Sequence, residues 1–60
     1  MASNVEIHIM QKRQLYSLLI IKKTNAGPVA QLQETINALI SEMEQEDVAY
    51  VEKIAGIKAM

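Results

Sequence analysis

Ahead of Gly56, the chain has one place built for a sharp reversal, Asn25-Ala26-Gly27-Pro28. No glycine or proline precedes Gly27, and none lies between Val29 and Ala55, so the flanking stretches read as long unbroken segments. The punctuation predicts a helical hairpin, with helix 1 over about 4–24, a turn at 25–28 and helix 2 over about 29–43.

Both ends of helix 1 carry matching signals. Ser3-Asn4-Val5-Glu6 fits a capping box, in which the serine oxygen accepts the amide three residues on. Lys22 and Lys23 suit the negative end of the helix dipole, and Asn25 or Gly27 can take the left-handed conformation that ends it. Pro28 fits the first position of the following helix, where its missing amide hydrogen is not needed.

Val29, Leu32, Ile36, Leu39 and Met43 recur at alternating helical spacings and form one apolar stripe, widened by Ile40. The next step falls on Asp47, after which Tyr50, Ile54 and Ile57 resume the spacing, so a bend or break is expected between Glu44 and Asp47. A short third helix over 47–55 follows, with acidic residues at its start and Gly56 beyond its end; one unbroken helix over 28–55 is the alternative.

A strand pattern competes at the N-terminal end. Val5, Ile7 and Ile9 alternate with Glu6, His8 and Met10 in the two-residue period of a half-buried strand. Helix is favoured because Gln11-Lys12-Arg13-Gln14 holds four good helix formers and no turn residue that would close a hairpin.

On a helix, the apolar residues among 15–21 point almost all the way round, and one partner helix cannot cover them. Sixty residues without a cysteine also lack the disulfides and thiolate metal sites that support small folds. Together these features predict an all-α homo-oligomer, a dimer above all, in which hairpins pack as a helical bundle. The expected interface, with the chain's own copy or a partner protein, is Leu15, Leu18, Leu19, Ile20, Ile21, Leu32, Ile36 and Leu39.

The remaining residues carry little chemistry. A lone His8 cannot build a histidine cage, and Ser3, Ser17 and Ser41 sit in no nucleophile motif. Glu42, Glu44, Glu46 and Asp47 lack the calcium-loop pattern, and Gly27 and Gly56 form no phosphate loop. No enzyme activity, cofactor or metal is therefore expected. The charge is unevenly placed: Lys12, Arg13, Lys22 and Lys23 dominate the first half, while six of the seven acids lie after residue 30. Those four cations support an alternative reading as a nucleic-acid-binding regulator, opposed by the acidic second half. Residues 1–4 show no leader pattern, and the mostly apolar run 15–21 is far shorter than the roughly 20 residues a bilayer requires. The chain is read as a single cytoplasmic domain, 1–60, acting as a non-enzymatic interaction protein that self-associates and binds or titrates a partner.

Overall fold

A computed structural model describes residues 3–25 and 27–60; Met1 and Ala2, in the stretch read for a leader, and Ala26, in the expected turn, lie outside them. Three helices follow one another, α1 (Asn4–Thr24), α2 (Val29–Ile40) and α3 (Gln45–Ala55), with no strand among the described residues. The period-two pattern at Val5–Met10 is thus overridden. Ser3 caps α1 by accepting the Glu6 amide at 3.2 Å, and the chain then meets no breaker until Asn25, which ends the helix in the left-handed region at φ 56°.

Pro28 sits one position earlier than expected, as the cap residue of α2 rather than its first helical residue. Its extended backbone (ψ 109°) leaves its carbonyl to accept the Leu32 amide at 3.1 Å. At the other end α2 stops at Ile40, short of the expected Met43. There the Ser41 hydroxyl donates to the Ala38 carbonyl at 2.7 Å, and Glu42 and Met43 donate to Leu39 and Ile40 in tight three-residue turns. The break before Asp47 separates α2 from α3, so the single-helix alternative does not form.

α1 is the spine. Its first half meets the start of α3, where His8 Nδ1 lies 3.2 Å from Asp47 Oδ2, and its last turn meets the end of α3, where Lys23 Nζ donates to the Ala55 carbonyl. The two helices therefore run side by side in the same direction, and α2 returns between them in sequence, also packed on α1. The molecule measures 34 × 21 × 15 Å. Its core joins Leu15 and Leu19 of α1, Ile36 of α2, Val51 and Ala55 of α3, and Ala59; Leu18, Ile20, Leu32, Leu39, Ile40, Met43, Val48 and Ile57 pack against it.

α3 buries a different line from the one its spacing suggested. Val48, Val51 and Ala55 face inward, whereas Tyr50 and Ile54 remain 57% and 52% exposed. The buried side chains are small or β-branched, which lets α3 approach α1 closely; tyrosine in the same line would hold the helices apart. No helix among the described residues is long and apolar enough to cross a membrane.

Candidate interaction surface

Gly56 ends α3 at φ 74° and turns the following residues back across the fold. Ala59 is buried there, its amide donating to Glu52 Oε2 at 2.6 Å and its carbonyl accepting from Gln33 Nε2 at 2.6 Å and Lys22 Nζ at 3.2 Å. Lys22 also donates to the Lys58 carbonyl at 3.3 Å. Residues 56–59 thus form a clasp tied to all three helices, through Lys22 of α1, Gln33 of α2 and Glu52 of α3.

Ile57 and Ala59 of this clasp join residues of α2 and α3 in covering the apolar residues of α1. Of the residues expected at an interface, Leu15, Leu19 and Ile36 are fully buried within one chain, and Leu18, Ile20, Leu32 and Leu39 are partly buried against that core. Ile21 alone of the eight is exposed. The structure brings seven of them together, as the chain's own core. The sequence pattern could not show this, because the cover comes from α3 and from the fold-back after Gly56 rather than from the α2 stripe alone.

The apolar surface left outside lies elsewhere. Ile9, Lys12, Arg13, Tyr16 and Ser17 of α1 and Tyr50, Val51 and Ile54 of α3 line a groove of about 460 Å³ between the two parallel helices. Val5, one turn before Ile9, and Met10, next to it, are also 68% and 63% exposed on α1. Lys12 bridges the groove, with its Nζ 5.8 Å from the centre of the Tyr50 ring and 4.0 Å from Asp47 Oδ1. Contiguous apolar surface of this kind is characteristic of contact sites.

The four cations separate in space. Lys22 and Lys23 serve backbone carbonyls at the end of α3 and in the clasp, Lys12 serves Asp47 and Tyr50, and Arg13 is exposed beside the groove. His8, Glu44 and Asp47 place three donor atoms within 4.8 Å of one another at the start of α3. In that group His8 is hydrogen-bonded to Asp47, and Lys12 shares the same carboxylate, which makes it an interhelical polar tether. Compared with known proteins, the chain matches no family model, no curated protein and no solved structure.

Proposed function

We propose that this chain is a non-enzymatic helical interaction protein that self-associates, and that binds or titrates partner proteins through the same surface. The observation that supports this reading is the outward apolar face of α1 and α3: Ile9, Tyr16, Tyr50 and Ile54 all stay at least 41% exposed around one groove, and Val5 and Met10 of α1 are exposed as well. A groove between two parallel helices, lined by Ile9, Tyr16, Tyr50 and Ile54, is of the kind that takes the apolar face of a further helix. The cytosol is the proposed setting, in keeping with a chain without cysteine.

A nucleic-acid role has less support. It requires free cations, and three of the four candidates are engaged within the fold, leaving Arg13.

Sedimentation velocity across a wide concentration range tests self-association. The wild type is expected to shift from monomer to dimer with concentration, whereas Ile9→Asp, which places a charge on exposed surface without touching the core, is expected to remain a folded monomer. A wild type that sediments as a monomer throughout rejects the proposal.

A further inference from the structure

The outward face of α1 carries one acid and one base in heptad register. Glu6 and Arg13 are seven residues apart, so they project within about 20° of each other around the helix. Both are exposed, and neither has an ion-pair partner among the described residues. Val5, Ile9 and Tyr16 lie on the same face at spacings of four and seven, and Met10 lies at its edge.

This arrangement discriminates between ways of pairing two copies. If two α1 helices pack parallel and in register, Glu6 meets Glu6 and Arg13 meets Arg13, which is repulsive twice over. If they pack antiparallel about a two-fold axis passing between Ile9 and Met10, Glu6 of each copy meets Arg13 of the other. Ile9 of each copy then lies beside Ile9 of the other, close to the axis, with Met10 at the edge of the contact.

We infer that the occupant of the α1–α3 groove is α1 of a second copy, seated antiparallel in this register. The inference rests on the self-association reading above and adds to it the symmetry, the register and the residues that select them. The contact is isologous, so the same patch serves both chains and assembly closes at two. Tyr50 and Ile54 form the far wall of the groove, against which Val5 and Ile9 of the incoming helix pack. The apolar residues supply the attraction, and the two Glu6–Arg13 pairs choose the direction.

The test is a charge-reversal cycle read by sedimentation equilibrium: wild type, Glu6→Arg, Arg13→Glu and the double variant carrying both. Each single reversal turns two attractions into two repulsions and is expected to weaken the dimer by about tenfold, more at low salt than at high. The double variant restores opposite charges and is expected to return to within about threefold of the wild type. Helix content by circular dichroism shows whether Glu6→Arg frays the first turn. Arg13→Glu lies three turns in, and carries the test independently of that. A wild-type dimer indifferent to both single reversals, or one that the double variant fails to restore, overturns the register while leaving self-association standing. A wild type that never dimerises overturns both.

Discussion

The ammonium of Lys23 donates a 3.2 Å hydrogen bond to the carbonyl of Ala55, joining the last turn of α1 to the last turn of α3. Ala55 is buried and is the last residue of its helix, so this cation occupies the negative end of a neighbouring helix as well as that of its own. A Cβ added at Gly56 would lie 3.0 Å from the same Nζ, the movable end of a flexible side chain, so it is the positive φ of 74° that calls for glycine at this corner.

Gly56→Ala is therefore expected to destabilise the fold by about 1–2 kcal/mol, chiefly from the left-handed backbone and secondarily from the crowded lysine. Urea denaturation measures it. The parallel change Asn25→Gly is expected to be neutral or slightly stabilising, since the same left-handed conformation there is held by an asparagine at φ 56°. An unaffected Gly56→Ala midpoint would show that the turn after α3 tolerates a side chain.

Leu19→Ala should cost about 2–5 kcal/mol, because Leu19 is completely buried in the core and its truncation leaves a cavity there. Tyr50→Ala, on the exposed side of α3, should cost less than about 1 kcal/mol in the monomer while weakening association. Denaturation at low concentration separates the first effect, and sedimentation the second. Equal losses of stability from both would mean that Tyr50 belongs to the core.

Much of this architecture was legible in the residues. Ser3 and Asn25 bracket α1, Gly56 closes α3, and the acidic break before Asp47 separates the second and third helices, because caps and breakers act within a few residues of themselves. The identity of the buried face on α3 was not legible: Tyr50-Ile54-Ile57 and Val48-Val51-Ala55 both have helical spacing, and only the closeness of α1 selects the smaller set. For the same reason the surplus on α1 could be assigned to a second chain when the fold itself consumes most of it. Ile9, Tyr16, Tyr50 and Ile54 around the groove were visible as apolar positions, but nothing in the order of residues says that α3 runs parallel to α1 and leaves them on a shared edge.

Removing the clasp's side-chain anchors together should open it. Lys22→Met with Gln33→Leu deletes the donors to Ala59's carbonyl while keeping the chain lengths similar, and is expected to lower stability by about 1–3 kcal/mol. Hydrogen exchange at the Ala59 amide should accelerate more than exchange in the middle of α1. Uniform acceleration at both would contradict a locally held clasp.

Asp47→Asn should weaken the tether at the other end of α1. The carboxylate faces His8 at 3.2 Å and Lys12 at 4.0 Å near the start of α3, and its loss is expected to cost about 0.5–1 kcal/mol at low salt. The difference from the wild type should shrink in about 1 M salt, where screening acts over roughly 3 Å. A penalty independent of salt would point to packing instead of charge.

The burial of Ala59 beside Leu15 and Leu19 also sets when the protein can fold during its synthesis. α1 leaves the ribosome before the segments that cover it, and the hydrophobic centre is complete only after residue 59 has cleared the exit tunnel. Until then Leu15 and Leu19 lack part of their cover, so this segment reaches its final packing only with residue 59 in place.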